Sequence, residues 1–128
     1  MEMKRVLIID ADKYARVKLS LLLKECGCDV EAVETVSEAV EKVREKDFGC
    51  VIVDVQARNG HGYEGIPVIR AICSDIEVIA TTSENWRGLE AKTREKGIFY
   101  YYIKSFEPEE LVAAVENAFK KYERKQHG

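Results

Sequence analysis

No apolar stretch of the 128-residue chain approaches the ~20 residues of a membrane-spanning helix, and Met1-Glu2-Met3-Lys4-Arg5 leads into a short strand-like run without a signal-peptide core. A cytoplasmic location and no membrane partner are therefore expected. Charge of one sign is also lacking. Twenty basic against 23 acidic residues leave a formal net charge of −3, which gives no general drive toward nucleic acid or anionic lipid. Cysteine is sparse and badly spaced for chemistry. Cys26-Gly27-Cys28 lacks the C-x-x-C interval and has no second pair for zinc. Cys50 lies in an apolar run and Cys73 on an apolar helical stripe, so both read as small core residues. In a cytoplasmic setting all four are expected as reduced, structural thiols. The first strand–helix junction, Asp10-Ala11-Asp12-Lys13, has carboxylates where a phosphate cradle needs glycines, which argues against a flavin- or metabolite-binding enzyme. Internal repeats, low-complexity segments and interdomain linkers are absent as well. The length suits one domain with one core.

What the chain does contain is a repeated strand–helix alternation with a polar residue at the end of each of four apolar runs. Val6-Leu7-Ile8-Ile9 meets Asp10, and Cys50-Val51-Ile52-Val53 meets Asp54. Val78-Ile79-Ala80-Thr81 meets Thr82, and Tyr100-Tyr101-Tyr102-Ile103 meets Lys104. Short β-branched runs read as buried strands of a parallel sheet, and ligands of such sheets bind beyond the strands' carboxyl ends. Two carboxylates, a hydroxyl and an ammonium should converge there.

The intervening segments read as helices. Tyr14, Val17, Leu21 and Leu22 recur at helical spacing, and Gly27 stands where a C′ glycine would end that helix. Val30–Val33 is a short second strand, and Thr35-Val36-Ser37-Glu38 has the form of a capping box, with Ala39, Val40 and Val43 inward. Ile66, Ile69, Ile72 and Cys73 mark a third helix, and Pro67 fits only its first turn. Ser83–Lys96 is the most polar helical segment, with Trp86, Leu89 and Ala91 available to pack. Pro108 with Glu109 and Glu110 opens a last helix that buries Leu111, Val115, Ala118 and Phe119. The pattern predicts an α/β fold, a single doubly wound (flavodoxin-like) sheet of five parallel strands flanked by five helices. Residues 1–122 form the domain. Residues 123–128 are a basic C-terminal tail or linker remnant, whose cations complement the last helix dipole before fraying into solvent.

Asp10-Ala11-Asp12, Asp54, Thr82-Ser83 and Tyr102-Ile103-Lys104-Ser105-Phe106, in this order and at these intervals, resemble the receiver domain of bacterial two-component response regulators over essentially the whole chain. The resemblance implies strand order 2-1-3-4-5. It implies that Asp54 accepts a phosphoryl group from a sensor histidine kinase, a phosphotransfer protein or a small acyl phosphate. Thr82 and Lys104 would bind that group, and Tyr101 matches the aromatic switch position. Mg²⁺ would be held by Asp10, Asp54 and the Gln56 backbone carbonyl, with Asp12 a further candidate. Such a domain is a phosphoacceptor switch rather than an enzyme beyond its own phosphorylation and dephosphorylation. It acts on an output domain or downstream protein, as a monomer or weak dimer, without touching nucleic acid directly.

The chain departs from the family pattern at four places. Ala11 replaces an expected acid, so Mg²⁺ should bind weakly. Arg58 stands where proline is usual, His61 where aspartate is frequent, and Ser105 where proline follows the lysine. With serine there, a trans Lys104–Ser105 bond is expected. Other roles remain open for the same residues. Asp10 or Asp12 would serve as an N-cap of the first helix, and Thr82 or Ser83 of the fourth. His61 reads first as a solvent-facing loop residue. Trp86 is either packed or an exposed partner-binding anchor. Ala11 and Ser105 also fit an atypical pseudo-receiver, a phosphorylation-independent interaction module.

Overall fold

A computed structural model describes residues 3–56 and 62–127. Within them the order is β1 (Arg5–Ile9), α1 (Lys13–Glu25), β2 (Asp29–Val33), α2 (Val36–Glu45), β3 (Cys50–Asp54), a 3₁₀ turn (Gly62–Glu64), α3 (Gly65–Ile72), β4 (Glu77–Thr82), α4 (Leu89–Arg94), β5 (Tyr100–Ile103) and α5 (Pro108–His127). All neighbouring strands pair in parallel, in the order β2-β1-β3-β4-β5. The expected sheet and its order are thus present.

Alternate residues of each strand feed two cores, because successive side chains on a strand point to opposite faces. Leu7, Ile9, Val51, Val53, Val78 and Ala80 face α2, α3 and α4. Val6, Ile8, Cys50, Ile52 and Ile79 face α1 and α5. Burial on both faces explains why the strands are continuous apolar runs.

Local signals act as their chemistry dictates. The Thr35 hydroxyl accepts the Glu38 amide at 3.2 Å and caps α2. Gly27, at φ +87°, closes α1, with Cys28 N–H donating to the Leu23 carbonyl at 3.1 Å. Pro67 lies in the first turn of α3.

Three expectations change. First, α1 does not bury Tyr14, Val17 and Leu21, which are 73%, 50% and 59% exposed. Its inward stripe is Ala15, Leu19 and Leu23. The helix carries apolar residues on two faces, and packing onto β1 and α5 selects the i, i+4, i+8 row. Second, α4 is six residues long rather than spanning 83–96. Gly88 adopts φ +87° just before it, and the preceding turn is organised by other bonds; Ala91 is exposed while Leu89 and Thr93 are buried. Third, segment 123–127 is not a frayed tail, because α5 runs unbroken to His127. Lys125 Nζ lies 2.5 Å from Glu77 Oε2, a charge contact rather than an aligned hydrogen bond. Gln126 donates to Asp75 at 2.9 Å. These contacts hold the last turns against the start of β4.

Candidate functional site

Parallel pairing brings the carboxyl ends of β1, β3, β4 and β5 side by side. Asp10 follows β1 and is almost fully buried, at 2% exposure. Its amide donates to the Val33 carbonyl at 3.0 Å, and its Oδ1 accepts the Asp12 amide at 2.9 Å. Asp54 ends β3 opposite Thr81 of β4. Its Oδ1 accepts the Gln56 amide at 2.9 Å. Lys104, one residue beyond β5, reaches back over the sheet edge and joins the two acids. Its Nζ is 2.7 Å from Asp10 Oδ2 and 3.4 Å from Asp54 Oδ2. The Lys104–Ser105 bond is trans, as serine implies.

Two carboxylates thus share one ammonium in a half-buried setting. Burial pushes the Asp54 carboxyl above its ordinary range. The neighbouring Asp10 charge adds to that, while the Gln56 amide and Lys104 oppose it. For Lys104, burial alone would lower the pKa, but its hydrogen bond to Asp10 and the charge of Asp54 raise it above the usual lysine value. The ammonium therefore stays charged at neutral pH. A cleft of about 350 Å³ opens beside these groups, bounded by Ala11, Glu34, Thr35 and Gly62 as well as Asp10 and Asp54.

The remaining candidates divide. Thr82 is fully buried, and its hydroxyl points into the β4–α4 turn, 2.6 Å from both Gln56 Oε1 and the Glu84 carbonyl. Neither Thr82 nor Ser83 caps α4, which begins at Leu89. Tyr101 is buried, with its hydroxyl donating to Asn85 Oδ1 at 2.8 Å. Trp86 is 41% exposed. Asp12 is exposed and takes the capping role, accepting the Tyr14 amide at 3.1 Å; that carboxylate is the N-cap of α1 rather than part of the acid cluster. Arg58 and His61 lie outside the described residues.

Two contributors went unnoticed in the sequence. Arg16 donates to the Asp10 and Ala11 carbonyls at 2.8 and 3.1 Å and so braces the β1–α1 junction. Only its spacing, six residues after Asp10, hinted at this. The side chain of Gln56 is the other; its position two residues after Asp54 drew attention to its carbonyl alone.

The oxygen ligands suit Mg²⁺, which binds proteins through one or two carboxylates and keeps several waters. Asp10 and Asp54 supply two, and the methyl of Ala11 supplies none. Among the described residues, no group of three or more His, Cys, Asp or Glu side chains is placed to hold a metal.

A family model for the response regulator receiver domain matches residues 6–116. A DNA-binding transcriptional regulator NtrC from Azospirillum brasilense is 30% identical over 113 residues, which is 88% of this chain but 24% of that protein. The chemotaxis protein CheY of Thermotoga maritima is 26% identical and is covered over 98% of its length. Among solved structures, the beryllofluoride-activated NtrC4 receiver domain dimer superposes with a TM-score of 0.85 at 30% identity, covering 94% of this chain and 99% of that one. A CheY-like receiver domain from Methanospirillum hungatei gives 0.88 at 20% identity, covering 97% and 99%, a likeness of fold alone. The chain thus spans about a quarter of the NtrC protein and almost all of the chemotaxis protein. The chain belongs to the response regulator receiver family, the phosphoacceptor switches of two-component signalling.

Proposed function

We propose that Asp54 is the phosphoacceptor and that Lys104 and Thr82 bind the phosphoryl group it carries. The observation that carries this reading is the Lys104 ammonium set between Asp10 and Asp54. A carboxylate attacking phosphorus must approach an anionic donor, so catalysis is mostly positioning and charge neutralisation. Asp54 Oδ2, the oxygen not held by the Gln56 amide, attacks phosphorus while the donor's bridging P–O or P–N bond breaks. Lys104 then exchanges part of its contact with Asp54 for a phosphoryl oxygen. Asp10 keeps the ammonium anchored throughout. Asp10, Asp54 and the Gln56 carbonyl would hold Mg²⁺, weakly because Ala11 offers no oxygen. When bound, the ion offsets phosphoryl charge.

Signal output would follow from the Thr82 hydroxyl and Tyr101, with Trp86 as a contact for a partner protein. A histidine kinase or phosphotransfer protein is the expected donor, and an output domain or downstream protein the receiver of the signal, with the domain itself a cytoplasmic monomer or weak dimer. No helix among the described residues is long and apolar enough to cross a membrane.

Incubation with acetyl phosphate and Mg²⁺ tests the reading by intact mass. One added phosphoryl group is expected, and none on Asp54→Asn. Absence of an adduct on the wild-type chain, at tens of millimolar Mg²⁺, defeats the phosphoacceptor and leaves the phosphorylation-independent module.

A further inference from the structure

Gln56 touches both halves of the switch. Its backbone N–H donates to Asp54 Oδ1 at 2.9 Å. Its side chain turns the other way, into the β4–α4 turn. There Oε1 lies 2.6 Å from Thr82 Oγ1, 3.0 Å from Ser83 N, 3.1 Å from Ser83 Oγ and 2.8 Å from Glu84 N. Two of these partners are backbone amides, which only donate, so the amide oxygen rather than its nitrogen must face the turn. Asn85, the next residue, holds the Tyr101 hydroxyl. One neutral oxygen therefore organises the turn that carries Thr82 and runs directly into Asn85, the partner of Tyr101.

The oxygen is also oversubscribed. A side-chain carbonyl has two lone pairs, and four donors compete for them. Thr82 has a single proton and a second acceptor equally near, the Glu84 carbonyl. Four donors thus share two lone pairs, and the one Thr82 proton serves only one of its two acceptors at a time. A phosphoryl oxygen, being anionic, is a stronger acceptor than an amide. The turn is thus held by an acceptor that an anion at Asp54 can outbid.

We propose that the Gln56 side chain is a positioning residue, an internal ligand that occupies the donors of the β4–α4 turn until a phosphoryl group on Asp54 takes the Thr82 hydroxyl and the Ser83 amide from it. Gln56 thereby sets the threshold of the switch. The proposal rests on Asp54 being the phosphoacceptor.

The test compares the full chain with Gln56→Met, which keeps side-chain length and removes the acceptor, and with Gln56→Asn, which is too short to reach the turn, should the first fold poorly. In the absence of any anion, the Ser83 amide should exchange hydrogen at least about tenfold faster in the variants, while the Glu84 amide keeps a second acceptor in Thr82 Oγ1 at 3.2 Å. Titration with beryllofluoride at high Mg²⁺, followed by amide shifts and Trp86 fluorescence, should then show tighter binding by about tenfold. A purely structural role predicts the opposite, since a loosened turn would bind the anion less well. Gln56→Glu should hold the same donors more strongly and weaken beryllofluoride binding. Unchanged amide exchange, or unchanged or weaker anion binding in Gln56→Met, overturns the proposal while leaving the phosphoacceptor intact. Failure of beryllofluoride to perturb even the wild-type chain sinks the phosphoacceptor reading, and the competition at Gln56 with it.

Discussion

At the carboxyl end of the sheet two carboxylates, Asp10 and Asp54, share one ammonium, that of Lys104. At the amino end a single buried carboxylate, Glu77, faces two, those of Lys121 and Lys125 at 3.6 and 2.5 Å. The first arrangement is one cation short, and its anions are held by strand ends that cannot move far. The second is one anion short, and its cations sit on long side chains that are 47% and 32% exposed. Under the proposed function, an acid-rich cluster with its cation already in place would exchange partners when a phosphoryl group or Mg²⁺ arrives. A lysine-rich clamp on a buried glutamate has nothing to exchange and fastens a helix. On that reading, strand ends of one sheet serve chemistry at one edge and anchorage at the other, according to which charge is in excess and which can reach water.

Lys104→Met should break the comparison hardest. It leaves Asp10 buried and Asp54 beside it with no counter-charge, and truncating one partner of a buried pair costs about 3 kcal/mol. Urea denaturation at pH 7 measures the loss, which should shrink in acid as the carboxyls protonate. A cost as large at pH 4 as at pH 7 would refute the electrostatic origin. Glu77→Ala should cost less, about 2 kcal/mol, because both lysines can swing into water. The same denaturation, with hydrogen exchange in residues 121–127, should show the end of α5 loosened while the Asp10–Asp54–Lys104 cluster is untouched. If Glu77→Ala proves costlier than Lys104→Met, the contrast between trapped and free partners is wrong.

Ala11→Asp should sharpen the acid-rich end by adding a third carboxylate. Mg²⁺ affinity, followed by Trp86 fluorescence, should tighten by about tenfold, or 1.4 kcal/mol. An unaltered titration would show that Ala11 does not limit Mg²⁺ binding. The smallest effect belongs to Asp54→Asn. Burial, with Asp10 beside it, raises the Asp54 pKa in the folded chain, so the folded state holds its proton more tightly than the unfolded state does. The ionised carboxylate therefore costs stability at pH values above the raised folded value. That cost disappears as pH falls below the ordinary aspartate range. Asp54→Asn should accordingly raise the melting temperature at pH 7 and lose its advantage in acid. A gain that persists at low pH would point to packing instead.

Much of this could be read from residue order. The four strand ends, the capping box at Thr35, the C′ glycine at Gly27 and Pro108 at the head of α5 are local signals, each tied to a backbone requirement that neighbours in sequence impose. The β1 and β3 acids and the β5 lysine were legible for a related reason, since a parallel sheet aligns the carboxyl ends of its strands. The inward face of α1 was not legible. Tyr14, Val17 and Leu21 make as good an apolar stripe as Ala15, Leu19 and Leu23, and helical periodicity does not choose between two such rows. The length of α4 was hidden as well. A polar segment with tolerable helix formers reads as helix until Gln56 claims the donors of its first turn. The Gln56 side chain gave no signal at all, because its partners lie 26 to 28 residues away.

By itself, then, the sequence determined the α/β class, the places of the strands and the identity of the charged groups at the sheet edge, because strand burial and helix capping depend on residues within a few positions of one another. Tertiary structure decided how those charges pair. It set Lys104 between Asp10 and Asp54 across separations of 94 and 50 residues. It turned Asp12 outward into a cap, and it folded the basic end of α5 onto Glu77. Electrostatic pairing and donor sharing act over a few ångströms in space, and only the closed sheet determines which distant residues come that near.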